Sequence, residues 1–363
     1  MLSVLTSASK SWNLVERFCF PAPKPSYDLN TYPNELIMIP RDDGISVPCL
    51  FLPFAHARFL FIYFHGNGED LGTCHRFCSI LRNLFQIHII AVEYPGYGLC
   101  TGTTTEAGIM ANASAVLRFV TTTLAWPLDS VKLLGRSLGT APAIALATVY
   151  AVSGVILVSP FLSIREIARS QIGSLSEFIE DWFPNYQLSQ HIRSPTLVIH
   201  GQKDRLVPCE HGRKLFARIP VRKMMVCPPN MAHNSCLLKN VTDFLLPMTE
   251  FFPLPDYAFE PIVMPAWVFP MTEVCLEDLG VSLDTPTPTG SDEEGEPDEE
   301  PGAGVVLQRD AGEAVQFGAT GAYDFAATTQ LDRETFAKVA RMARVPDSSF
   351  CGCLKSTTCP QVG

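Results

Sequence analysis

Residues 131–150 read VKLLGRSLGTAPAIALATVY, and this stretch decides the fold. Val131–Leu134 is a short, largely apolar run of strand length, and Leu138–Tyr150 is long enough for a buried helix. Between them lies Gly135-Arg-Ser137-Leu-Gly139, a serine flanked by glycines on a strand-to-helix turn. A Cβ at either glycine would collide with the neighbouring strand or helix, so the small residues are a steric requirement of the turn. Such a turn lifts Ser137 Oγ clear of the sheet as an exposed elbow at a helix N-terminus. There the backbone N–H of Leu138 faces any oxyanion that forms.

Working outward, the other apolar runs are Leu36–Ile39, Val47–Leu52, Phe59–Phe64, Ile87–Glu93, Gly154–Val158, Thr196–His200 and Met224–Cys227. Several are apolar throughout, as strands buried on both faces of a parallel sheet must be. Helical patterns fall at Thr73–Leu84, Thr105–Leu124, Leu138–Tyr150, Glu210–Ala217 and Cys236–Leu246. This alternation predicts an α/β fold: a mostly parallel eight-stranded sheet with helices on both faces. The first two strands are too close together for a helix between them, which predicts an antiparallel start. Only a short cap fits between Val158 and Thr196.

Three units follow. Residues 1–34 are an irregular lead-in, residues 35–252 the α/β domain, and residues 253–363 a Pro-rich, acidic tail expected to be mostly disordered. Of 363 residues, 37 are acidic and 27 basic, for a net charge of -10. Seven of those negative charges lie in the run Ser291–Pro301, so the remaining body is nearly balanced. No basic face is evident, and nucleic acid is excluded as the main partner. The twelve cysteines lack the spacing of a disulfide framework and read as reduced thiols. Met1–Ala8 carries no basic residue before its apolar positions, so no secretory signal is expected. Cytoplasmic residence is the expectation, with a mitochondrial presequence as the lesser reading.

A nucleophilic serine needs a base and an acid, and in this architecture the chain order is serine, acid, histidine. His200-Gly-Gln-Lys-Asp204 follows the strand at Thr196–His200, which puts Asp204 at the carboxyl edge of the sheet. Cys227-Pro-Pro-Asn-Met-Ala-His233 follows the last strand and brings His233 to the same edge. Ser137, Asp204 and His233 are therefore the candidate catalytic residues. Phe64-His65-Gly66-Asn67 follows the third strand, so the N–H of Asn67 is the candidate second oxyanion donor beside that of Leu138. His65 and His200 read as bracing residues at strand ends, and Asp181 is a weaker rival acid. Cys74 and Cys78 flank His75 without a second ligand pair and read as core thiols. Neither a metal nor a cofactor is called for.

The segments His65-Gly-Asn, Asp70-Leu-Gly72, Glu93-Tyr-Pro-Gly-Tyr-Gly98, Gly135-Arg-Ser-Leu-Gly-Thr140 and Ser159-Pro-Phe-Leu-Ser163 together resemble an α/β-hydrolase. So do Phe183-Pro-Asn185, Ser194-Pro-Thr-Leu-Val-Ile-His-Gly201 and Ala232-His-Asn234. More narrowly, they resemble the eukaryotic subgroup of membrane-associated protein depalmitoylases, over about residues 35–252. The resemblance implies Ser137, Asp204 and His233 as the triad, and an S-acylated protein or an acyl ester as substrate. Members of that subgroup usually begin with an acylated cysteine cluster, whereas this chain has only Cys19 there. Its dense cysteines, Cys351, Cys353 and Cys359, lie beyond a basic amphipathic pattern at residues 331–345. These four are the candidate S-acylation sites for peripheral membrane attachment. The leading expectation is a palmitoyl-protein thioesterase. A serine peptidase or a small-ester or monoacylglycerol hydrolase is the enzymatic alternative. A non-catalytic scaffold is the alternative from another class.

Overall fold

The computed structural model describes residues 20–252 and 262–270. Its strands are β1 Leu36–Pro40, β2 Ser46–Leu52, β3 Leu60–Phe64, β4 His88–Val92, β5 Val131–Arg136, β6 Gly154–Val158, β7 Thr196–Ile199 and β8 Lys223–Val226. They form one eight-stranded sheet in the order β1-β2-β4-β3-β5-β6-β7-β8. The pair β1–β2 is antiparallel, as the sequence spacing predicts; β2–β4 is antiparallel as well, and all later pairs are parallel.

Every residue of β3, β4, β6 and β7 is buried, which explains why only His88 and Thr196, each opening its strand, interrupt sequences otherwise built of apolar and aromatic residues. Alternate residues of one strand serve opposite faces. Leu60, Ile62 and Phe64 enter the core beneath α2 (Glu106–Arg118) and α3 (Thr140–Val149). Phe61 and Tyr63 join the core under α1 (Leu71–Phe85). Between β6 and β7 lie α4 (Ile164–Ile172) and the short α5 (Asn185–Leu188); α6 (Cys209–Arg218) and α7 (Leu245–Phe251) complete the helices used below.

Three local departures from the sequence reading have physical causes. Residues 236–244 form turns, and the helix begins only at Leu245. Asn240 Oδ1 accepts from the Thr242 N–H and hydroxyl, and its carbonyl accepts from the Asp243 N–H. Such local bonds compete with a helix. The α-helix from Glu106 stops at Arg118 and continues over Phe119–Thr123 as a π-helical turn. There the hydroxyls of Thr121 and Thr122 bond back to Leu117 and Arg118 carbonyls. Finally, α4 falls in the span read only as a short cap, nine residues in which Arg165, Glu166, Arg169 and Gln171 separate three isoleucines. Its start is nonetheless written as Ser163-Ile-Arg-Glu166, with Ser163 Oγ accepting the Glu166 N–H at 3.2 Å.

One charged group lies inside the far end of this sheet. Lys132 is 3% exposed, with Nζ 3.7 Å from the Phe59 ring centroid and 4.7 Å from that of Phe252. It donates to Ser153 Oγ at 3.0 Å. Burial, aided by the nearby Arg222 charge, brings its ammonium down to about 7 from the ordinary 10.5. Between those values the unfolded chain holds a proton that the folded chain has released, so stability rises with pH. Wild type is expected to gain roughly 2 kcal/mol between pH 7 and 9 relative to Lys132→Met. Urea unfolding of both proteins at the two pH values measures that difference.

Candidate active site

The register of the parallel strands brings five chain segments to one edge. Phe64 lies opposite Gly135, Arg136 opposite Val158, Val158 opposite Ile199 and Ile199 opposite Val226. The loops after β3, β5, β6, β7 and β8 therefore leave the sheet side by side. Strand β5 runs two residues further than its apolar pattern, because Gly135 and Arg136 continue the ladder.

Ser137 follows directly, with φ of 50°, a left-handed value that non-glycine residues seldom adopt. Its turn is closed by Thr140 Oγ1, which donates to the Ser137 carbonyl at 2.6 Å. A Cβ at Gly135 would overlap the Gly139 carbonyl, and one at Gly139 would overlap the Phe64 carbonyl. Both glycines are thus fixed by backbone packed against backbone. Ser137 is 9% exposed, less open than the sequence reading expects.

His233 stands over the serine, with Nε2 2.9 Å from Ser137 Oγ. Its Nδ1 is 2.7 Å from Asp204 Oδ2. An ionised carboxylate only accepts, so Nδ1 carries the proton and Nε2 is left bare to accept from the serine hydroxyl. Asp204 is 5% exposed, and its Oδ1 accepts the N–H groups of Leu206 (3.1 Å) and Val207 (2.8 Å). Burial alone would push this carboxyl up. The nearby His200 side chain, the hydrogen bond from His233 and the Val207 N–H prevail, holding it well below the ordinary carboxylate range. The chain brings together the three candidate residues in one hydrogen-bonded line. Asp181 lies instead in the cap, 4.0 Å from Arg165.

Asn67 is in the loop after β3 and Leu138 follows Ser137 in the elbow, so the two candidate oxyanion donors flank the serine from adjacent strands. His65 braces this loop. Its Nε2 meets Glu93 Oε1 at 2.9 Å and its Nδ1 meets the Gly66 carbonyl at 3.0 Å. Burial opposes a charge on His65, but the Glu93 hydrogen bond and charge outweigh it and raise its basicity. His200 also has a bracing place, with Nε2 2.8 Å from the Val207 carbonyl and 3.5 Å from Asp204 Oδ2.

Several contributors escape the sequence reading. Glu93 is fully buried and accepts from His65, the Tyr27 hydroxyl (2.9 Å) and the Leu71 N–H (3.1 Å). Tyr97 donates to Asn67 Oδ1 at 2.6 Å, so the Tyr-Pro-Gly-Tyr turn reaches the loop after β3. Arg136 joins the two sides of the site: it donates to Glu69 Oε1 (2.9 Å) and to the His233 carbonyl (3.3 Å). Its signal was its place beside Ser137, but nothing local reveals its partners. Cys19, Cys351, Cys353 and Cys359 lie outside the described residues. Among the described residues, no group of three or more His, Cys, Asp or Glu is placed to hold a metal.

The sheet order, the left-handed serine between two obligatory glycines and the loops at one edge define an α/β-hydrolase fold. The chain belongs to the alpha/beta hydrolase domain-containing protein family. It is 31% identical over 195 residues to human alpha/beta hydrolase domain-containing protein 17B, covering 53% of this chain and 67% of that one. It is 26% identical over 245 residues to alpha/beta hydrolase domain-containing protein aho-3 of Caenorhabditis elegans, covering 61% and 73%. Among solved structures, DcsB in complex with its substrate analogue matches with a TM-score of 0.50 at 13% identity. That match covers 60% of this chain and 97% of DcsB, and it speaks for the fold alone. No protein-family model matches the chain.

Proposed function

We propose that the protein is a serine hydrolase that cleaves long-chain acyl thioesters on proteins, a palmitoyl-protein thioesterase. The observation that carries this reading is the continuous line from Ser137 through His233 to Asp204, at 2.9 and 2.7 Å. As His233 Nε2 takes the hydroxyl proton, Ser137 Oγ bonds to the acyl carbon and the carbonyl oxygen becomes an oxyanion. The N–H groups of Asn67 and Leu138 stabilise that charge, each worth about 3 kcal/mol. Collapse breaks the carbon–sulfur bond, and the thiolate leaves with the proton from His233. Water, deprotonated by the same histidine, then releases the fatty acid and restores Ser137.

The long-chain acyl preference is supported by the rim of the site. The cap and the acid loop expose Ile172 (47%), Leu175 (62%), Phe178 (90%) and Leu206 (50%). The cap helix is tied to the acid loop by Gln171 Nε2, which donates to the Arg205 carbonyl at 3.2 Å. An apolar rim of this kind suits an acyl chain arriving on a protein at a lipid surface. A palmitoylated peptide should be cleaved faster than its acetylated counterpart or the matching peptide amide, and a fluorophosphonate probe should label Ser137. Equal rates for short and long acyl chains would favour the small-ester reading, and absent labelling would favour a scaffold.

Cytoplasmic residence with peripheral attachment through S-acylation of Cys351, Cys353, Cys359 or Cys19 completes the proposal. One chain anchors weakly, so two or more acylated cysteines, or one beside the basic residues near 331–345, are required. The full chain carrying serine at Cys351, Cys353 and Cys359 is expected to shift from the membrane pellet to the supernatant on fractionation. If it pellets like wild type, attachment resides elsewhere, with Cys19 the next residue to replace.

A further inference from the structure

Outside the candidate triad, a second pair of reactive side chains sits at the same edge of the sheet. Cys209 opens α6, directly after the loop that carries Asp204, and Cys227 directly follows β8, at the start of the loop that carries His233. Their sulfurs are 3.8 Å apart. A disulfide requires about 2.05 Å, a gap that rotation of the two side chains and a small shift of the α6 terminus would close. Both cysteines are partly exposed, because β8 is the edge strand of the sheet. Cys49, Cys74, Cys78 and Cys100 are buried from any oxidant.

The pair is also chemically uneven. The hydrogen bond from the Cys209 thiol, and then the Arg213 and His200 charges, favour Cys227 as a thiolate against the opposing effect of burial. The same contact holds Cys209 as a thiol. One sulfur is thus the better nucleophile and the other stands in place to resolve what it forms.

We infer that Cys209 and Cys227 form a redox site that hydrogen peroxide converts to a reversible disulfide. Cys227 sulfur attacks one peroxide oxygen: an S–O bond forms, the O–O bond breaks, and the departing hydroxide leaves as water with the thiol proton. Cys209 sulfur then attacks the sulfenic acid sulfur of Cys227. The S–S bond forms, the S–O bond breaks, and a second water leaves with the Cys209 proton. Two thiols are oxidised by two electrons and one peroxide is reduced to two waters.

The bond would clamp the roots of the acid and base loops to each other. Those loops already touch: Gln202 Nε2 donates to the Cys227 carbonyl (2.9 Å), and the Lys203 N–H donates to the Met231 carbonyl (3.0 Å). The site rests on sulfur geometry and stands whether or not Ser137 acts as a nucleophile.

The test treats the full-length reduced protein with hydrogen peroxide at pH 7 and maps the cysteine peptides by mass. The expected product is a 209–227 cross-linked peptide pair, two hydrogens lighter than its reduced parts and restored by dithiothreitol. It should form at least tenfold faster than exposed Cys236 is oxidised. In C209S the resolving thiol is gone, and dimedone should trap a sulfenic acid at residue 227. In C227S residue 209 should stay unlabelled. Absence of the cross-link in wild type, or its formation no faster than oxidation of Cys236, overturns the assignment without reference to any variant.

Discussion

Replacing Ser137 by alanine is expected to reduce hydrolysis of a palmitoylated peptide to background, a loss of about six orders of magnitude if the triad acts as a unit. Alanine keeps the Cβ and removes only the oxygen that meets His233 at 2.9 Å. The elbow bond from Thr140 Oγ1 goes to the Ser137 backbone carbonyl and is retained. The thermal midpoint should therefore stay close to that of wild type while turnover and fluorophosphonate labelling vanish together. Substantial residual turnover in a folded variant would place the nucleophile elsewhere.

Asp204→Asn should cost about four orders of magnitude in turnover, for a reason written in the acid loop. The N–H groups of Leu206 and Val207 both point at Oδ1, so an asparagine would set its carbonyl oxygen there. Its NH2 group would then face His233 Nδ1. A donor at that point forces the imidazole into the tautomer whose proton is on Nε2, which cannot accept from Ser137. Asp181→Asn changes a carboxylate 4.0 Å from Arg165 and leaves that line of bonds intact. Its turnover should stay near wild type. Comparable losses in the two variants, measured on the same palmitoylated peptide, would reopen the choice of acid.

How much of this was legible in the sequence depends on how local each cause is. Gly154–Val158 is bounded by a glycine and followed by Ser-Pro, and its limits agree with the strand residue for residue. The three candidate residues could be placed because each lies just past a strand, and parallel strands deliver their loops to one edge. Arg136 was beyond reach because its partners, Glu69 and His233, are 67 and 97 residues away along the chain. Glu93 stands in a motif, yet its partners come from elsewhere: Tyr27 from the lead-in, and His65 and Leu71 from the two ends of the loop after β3. Residues 236–244 misled for the opposite reason: apolar spacing looked helical while Asn240 fixed a turn through bonds of only two and three residues. Periodicity reports which face is buried and is blind to side chains that capture their own backbone.

The distance along the chain between Ser137 and His233, 96 residues, also sets a schedule during synthesis. A ribosome adding about 5 to 20 residues per second makes the histidine roughly 5 to 20 seconds after the serine. Through that interval the elbow exists without its base, and β8, which positions the base, has no template until β7 has been laid down. On the proposed triad, a half-made chain is therefore inert. The last strand to join the sheet is the one that arms it.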